Sequence, residues 1–145
     1  MIAIGSDHGG FDLKNIIIEH LKSCGVEVED FGCYSKESVD YPDFAKAVAV
    51  AVSKGQYEKG IVICSTGIGV SIAANKVAGI RCALVHDLLS ASLTKRHNDS
   101  NVLAMGAFIV GPELAKKITD TWLGATFEGG RHQRRIDKIT DIENA

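Results

Sequence analysis

Five short runs of apolar, β-rich residues alternate along this chain with segments whose apolar positions recur at helical spacing. The runs are Ile2 to Ser6, Val26 to Phe31, "GIVIC" (60–64), "IRCALV" (80–85) and the somewhat irregular "NVLAMGAFIV" (101–110). Between them the pattern predicts four helices. The first carries Leu13, Ile16, Ile17, Leu21 and Cys24 and is stopped by Gly25, and the second runs from near Pro42 to Gly55. The third covers "GVSIAANKVAG" (69–79) and the fourth "DLLSASLTKRHN" (87–98). Pro112 to Leu123 forms another, and the tail from Arg131 to about Ile142 one more. Strands that alternate with helices specify an α/β fold, doubly wound and Rossmann-like. It has a five-stranded, mainly parallel sheet with helices on both faces and a C-terminal helical extension. With 145 residues and 46% hydrophobic content, residues 1–145 suit a single domain with a sizeable core. No internal repeat, low-complexity segment or linker interrupts it.

Charge and cysteine usage narrow the partners. A net charge of −2 gives no long-range attraction to nucleic acid or to an anionic membrane, so a small-molecule partner is expected. No charged-then-apolar leader is seen and no apolar run approaches the ~20 residues that span a bilayer, so a cytoplasmic location is expected. Cys24, Cys33, Cys64 and Cys82 are well separated and form no C-x-x-C pair, which suggests four reduced thiols rather than a zinc knuckle or a disulfide framework.

Doubly wound folds bind ligands outside the carboxyl ends of their strands, near the point where strand order reverses. Three polar loops carry chemistry: "SDHGG" after the first strand, "CSTGIG" after the third and "RHND" after the fourth helix. Cys64 is open to a bland reading, because free cysteines are usually small buried hydrophobes. Its place at a strand end, facing the start of the next helix, favours thiolate over thiol and offers a nucleophile or base. Gly67 and Gly69 serve a tight turn, or aim unhindered backbone N–H groups at an anion. The loop fails the dinucleotide fingerprint because position 72 is Ile, and it is no Walker loop. It also lacks a cysteine phosphatase's closing arginine, since position 70 is Val. What remains is a thiolate beside an anion pocket, which suits proton abstraction next to a carbonyl.

Asp7 and His8 could be an N-cap and a surface histidine, and His97, Asn98 and Asp99 a capped helix end. Taken together, the two loops are expected to bring a histidine, an amide and a carboxylate to the same end of the sheet as Cys64. His8 and His97 lie far apart with no H-x-x-x-H spacing, so no metal site is expected. In "GGRHQRRIDK" the usual meaning is a solvated helix face. Arg131 and Arg135 nevertheless fall within about 40° around a helix axis and can converge on one phosphate. Asp137, Asp141 and Glu143 nearly cancel that patch as a nucleic-acid surface.

"SDHGGFDLK", "DYPDFA", "CSTGIGVSIAANKVAGIR", "RHNDSNVLAMGAFIVG" and "WLGATFEGGRHQRRI" together resemble the type B ribose-5-phosphate isomerases of the ribose/galactose isomerase family. The likeness covers nearly the whole chain. It implies a metal-independent, cofactor-free homodimeric isomerase of carbohydrate metabolism that interconverts ribose 5-phosphate and ribulose 5-phosphate through a cis-enediol. By position it implies Cys64 as the base and Thr66 as its hydroxyl partner. The loop amides from Ser65 to Gly69, with Asn98, would hold the enediolate, and Asp7 and His97 would open the furanose ring. His8, Arg131 and Arg135 would grip the phosphate, and Tyr41 would line the pocket. Ser65 departs from the glycine of many relatives. Alternatives on the same scaffold are an isomerase for allose 6-phosphate or galactose 6-phosphate, or a non-catalytic phosphosugar- or nucleotide-binding module.

Overall fold

A computed structural model describes residues Met1–Ala145. The strands are β1 (Ile2–Ser6), β2 (Val28–Asp30), β3 (Lys59–Cys64), β4 (Cys82–Leu84) and β5 (Val102–Gly106). The helices are α1 (Phe11–Ser23), α2 (Tyr41–Ser53), α3 (Ile68–Asn75), α4 (Leu88–Asn98), α5 (Pro112–Gly124) and α6 (Arg131–Glu143). All strand pairs are parallel, in the order β2-β1-β3-β5-β4. The expected architecture is therefore observed. β2 and β4 are shorter than their sequence runs because they are the sheet edges, each paired on one side only, and β5 stops at Gly106, short of its run, because the chain turns at residues 107–109.

The crossovers between parallel strands distribute the helices to the two faces. Ile17 and Leu21 of α1 and Ile118 and Trp122 of α5 pack with Ile4, Ile61 and Leu103 in one core. Ala45 and Val48 of α2 and Val70 and Ala74 of α3 pack with Ala3, Val62 and Ala104 in the other. The central strands β1 and β5 are buried along their whole length, as a sheet covered on both faces requires.

Two polar ties hold this frame. The Trp122 Nε1–H donates to Ser100 Oγ at 2.9 Å. Lys14, fully buried on α1, donates to both carboxylate oxygens of Asp30 at 2.7 Å and to the Cys33 carbonyl at 2.8 Å. That lysine pins the end of β2 and the following loop beside β1, where Cys33 N–H donates to Ser6 O and Ser6 N–H to Gly32 O, both at 2.7 Å. No helix is long and apolar enough to cross a membrane.

The chain turns to opposite sides after β1 and β3, so the crevice where strand order reverses lies between their carboxyl ends.

Candidate active site

The loops after β1 and β3 meet at that crevice. A cleft of about 440 Å³ is lined by Asp7, Tyr41, Cys64, Ser65, Thr66, Ile68, Gly69 and Ile72. Cys64 ends β3, only 6% exposed, and its Sγ accepts the Gly67 N–H at 3.2 Å. Gly67 has φ +76°, and a Cβ there would stand 2.6 Å from Leu84 and 2.7 Å from the Met105 backbone, so no other residue fits this turn. Gly69 allows the Tyr41 ring to lie against the first turn of α3, where a Cβ would meet it at 2.5 Å. The result is a sulfur seated at the start of a helix whose free N–H groups face the same cleft.

The neighbours hold this loop still. Thr66 Oγ1 accepts the Ile68 N–H at 3.3 Å and is itself exposed to the cleft. The Ser65 carbonyl accepts the Phe108 N–H, and the Cys64 carbonyl the Ala107 N–H, both at 2.9 Å. The Ser65 hydroxyl backs against Gly9, so it adds bulk on the β1 side of the loop. Asp7 is buried and accepts the Gly10 N–H at 3.1 Å, capping the single 3-10 turn His8–Gly10. His8 is exposed, and its Nδ1 accepts the Val39 N–H at 3.2 Å, which leaves Nε2 carrying the proton.

His97, Asn98, Arg131 and Arg135 are elsewhere, which corrects the expectation that the "RHND" loop joins Cys64 at one end of the sheet. α4 runs antiparallel to the strands, so its last residues arrive where the strands begin. The Gly60 N–H, at the start of β3, donates to Asn101 O at 2.9 Å, and the Arg81 guanidinium before β4 donates to Asn98 O at 2.9 Å. Register pairs Gly60 with Val102 and Cys64 with Gly106, so about 13 Å of strand separates the two ends. α6 lies on that same amino end: Glu128, just before it, donates its N–H to Arg96 O at 3.0 Å, and Glu143 accepts the Gly79 N–H at 2.8 Å. Within one chain His8 therefore stands apart from the two arginines expected to share a phosphate with it.

At the amino end the side chains form a cluster of their own. The His97 and His132 rings stack at 4.3 Å, 8° from parallel. Glu128 faces both, at 3.7 Å from His97 Nε2 and 3.5 Å from His132 Nε2, while Arg96 Nε holds it at 2.7 Å. Burial, then the charges of His97 and Arg131, push the His132 pKa below its ordinary 6.5, with Arg135 acting in the same sense. The Arg96 hydrogen bond holds the Glu128 carboxyl below its usual range. Arg131 and Arg135 are both exposed. His132 and Glu128 were not singled out from the sequence. Their local signals are the i,i+4 spacing of Glu128 with His132 and of His132 with Ile136, the two buried positions of α6.

Fold and cleft together define a doubly wound α/β protein with a thiol-bearing glycine loop at its topological switch point. The Ribose/Galactose Isomerase family model matches residues 2–139. The chain is 56% identical over 142 residues to ribose-5-phosphate isomerase B of Escherichia coli, covering 98% of this chain and 95% of that one. Its fold superposes with a TM-score of 0.98 on Clostridium thermocellum ribose-5-phosphate isomerase B, at 55% identity, covering 99% and 97% of the two chains. A Mycoplasma genitalium ribose-5-phosphate isomerase B, solved with bound ribulose-5-phosphate, superposes with a TM-score of 0.95 at 49% identity, covering 99% and 95%. The chain belongs to the ribose/galactose isomerase family.

Proposed function

We propose that this protein is an aldose–ketose isomerase that interconverts ribose 5-phosphate and ribulose 5-phosphate, with Cys64 as the base. The observation that carries the reading is the Cys64 sulfur, 3.2 Å from the Gly67 N–H in a cleft whose floor is the amino end of α3. A C–H beside a carbonyl is far less acidic than a thiol. Abstraction therefore needs the enediolate to be stabilised as it forms, and preorganised donors supply several kcal/mol. Cys64 thiolate takes the proton from C2 of the open-chain aldose. The enediolate oxygens rest on the loop N–H groups from Ser65 to Gly69, with Thr66 as hydroxyl partner. Return of the carbon-bound proton to C1, with the hydroxyl proton passing from O2 to O1, yields the ketose. Asp7 and His97 assist ring opening, and no metal takes part.

One chain does not gather this machinery, and a homodimer does. Each site then takes Asp7, His8, Tyr41 and the Cys64 loop from one protomer, and His97, Asn98, Arg131 and Arg135 from its partner. Ile68 and Ile72, 50% and 57% exposed, flank the cleft, and Leu84, Leu88 and Leu89 extend an apolar surface on the same end, as expected of an interface. His8 and the two arginines grip the phosphate, whose binding energy positions C1 and C2 against the thiolate.

The family's description includes galactose, so hexose phosphates are the second reading. A coupled isomerase assay with ribose 5-phosphate, allose 6-phosphate and galactose 6-phosphate, in chelator, separates them. The expected result is the highest kcat/KM on ribose 5-phosphate, unchanged by EDTA. A higher value on a hexose phosphate would reassign the substrate. Binding without turnover of any of the three would make the protein a sensor.

A further inference from the structure

α1 and α5 lie side by side on one face of the sheet, locked by Ile17, Leu21, Ile118 and Trp122. At the solvent edge of that contact His20 Nε2 meets Asp120 Oδ1 at 2.7 Å, across 100 residues of chain. Cys24 follows His20 by one turn, at the C-cap of α1, and is exposed, an unusual environment for a thiol. Its Sγ, the imidazole nitrogen and the carboxylate oxygen all lie within 4.8 Å of one another. We propose that His20, Cys24 and Asp120 form a zinc-binding site, with water completing a four-coordinate shell.

The donor set carries the argument. One imidazole nitrogen, one thiolate and one carboxylate oxygen suit zinc, whereas magnesium and calcium take oxygen donors. Tetrahedral zinc with bonds of about 2.0–2.3 Å places its donors roughly 3.3–3.8 Å apart, a spacing reached here by small side-chain rotations. The backbone need not move, because both helices are anchored in the core. His20 and Cys24 sit at i and i+4 on one helix face, and the third donor comes from a second helix, so an ion would cross-link α1 to α5. Ser23 Oγ stands 4.0 Å from Cys24 Sγ while donating to the His20 carbonyl at 2.7 Å, within reach to support the ligands. A shallow cavity of about 470 Å³, lined in part by Glu19, His20 and Ser23, opens beside the cluster and gives an ion its entry path. The site lies where α1 ends, at the amino ends of the strands, away from Cys64. Isomerisation does not run through it.

Cobalt(II) is the probe, because a cobalt–thiolate bond gives a near-ultraviolet charge-transfer band that identifies sulfur ligation. Titration of reduced, chelator-treated protein is expected to produce this band with saturation at one equivalent per chain, and added zinc to abolish it. Cys24→Ser loses the band and Cys64→Ser keeps it. Asp120→Asn raises the apparent dissociation constant about tenfold or more, since even the loss of an outer-shell partner costs that much. Isomerase turnover of Cys24→Ser and Asp120→Asn stays at the wild-type level, which also shows that they fold. The proposal is overturned if no band forms, if it survives Cys24→Ser, or if Asp120→Asn binds as tightly as wild type.

Discussion

The carboxyl and amino ends of the sheet are built in opposite ways. At the carboxyl end the proposed chemistry rests on backbone and one buried sulfur: Cys64 is 6% exposed, and the loop around it is fixed by Gly67, by the Ala107 and Phe108 amides and by the capped turn at Asp7. At the amino end it rests on side chains: two exposed arginines, and a stacked imidazole pair facing one carboxylate, Glu128, which Arg96 holds. Rigid donors suit an enediolate, whose charge must find its partners already in place. Long cationic side chains suit a phosphate, which is bound at both ends of the reaction and needs only to be held. In the proposed mechanism the two ends thus divide stabilisation of the reacting atoms from anchoring of the remote group.

The division is broken most directly at Cys64. Cys64→Ala should lower kcat by about 10²- to 10⁴-fold with a modest change in KM, measured by steady-state kinetics on ribose 5-phosphate. Turnover near wild type would remove the carboxyl end from the chemistry. The next test asks whether the two ends work across a subunit boundary. Cys64→Ala and His97→Ala chains, each nearly inactive, are unfolded and refolded together. With random pairing half the dimers are mixed, and each mixed dimer holds one site free of both lesions, so about a quarter of all sites should recover wild-type activity. No recovery, with mixed dimers shown to be present, would place both ends of the machinery in one chain.

Smaller effects sharpen the amino end. Arg131→Ala and Arg135→Ala should each raise KM for the phosphorylated sugar by an amount worth roughly 1.5–3 kcal/mol, while turnover of free ribose barely changes. Equal effects on both sugars would mean that the arginines only dock α6. The smallest expected signal is a pH dependence of stability. The His132 pKa in the fold lies below its ordinary 6.5, so the unfolded chain takes up the proton first, and stability falls as pH drops through about 6.5 toward the folded value. Glu128, also depressed, adds a second loss below its ordinary 4.5. Denaturant midpoints across that range should fall toward acid, and His132→Asn should flatten the first step. An unchanged slope would take His132 out of the linkage.

The sequence made the fold legible because hydrophobic periodicity and strand–helix alternation are local. β1 and the end of α4 at Asn98 could be read to the residue, whereas β2 lost three residues to its edge position. The Cys64 loop was legible for the same reason: a thiol, two glycines and a helix start follow one another in ten residues. Placing "RHND" beside Cys64 overlooked what chain order already says, that a loop after a strand and a loop after a helix leave the sheet at opposite ends. The stacking of His97 on His132 and the meeting of His20 with Asp120 were not legible. Each is set by how two helices pack, and no spacing along the chain encodes it.

Lys14 has a consequence for how this sequence can change over generations. Its ammonium has no water to fall back on, and three of its contacts are Asp30 oxygens and the Cys33 carbonyl. Replacing Asp30 alone strands a buried cation at a cost of about 3 kcal/mol or more, whereas exchanging both partners for well-packed apolar residues can be nearly neutral. Positions 14 and 30 are therefore coupled in sequence space: while Lys14 stays, a single step away from Asp30 descends into a valley that a double step avoids.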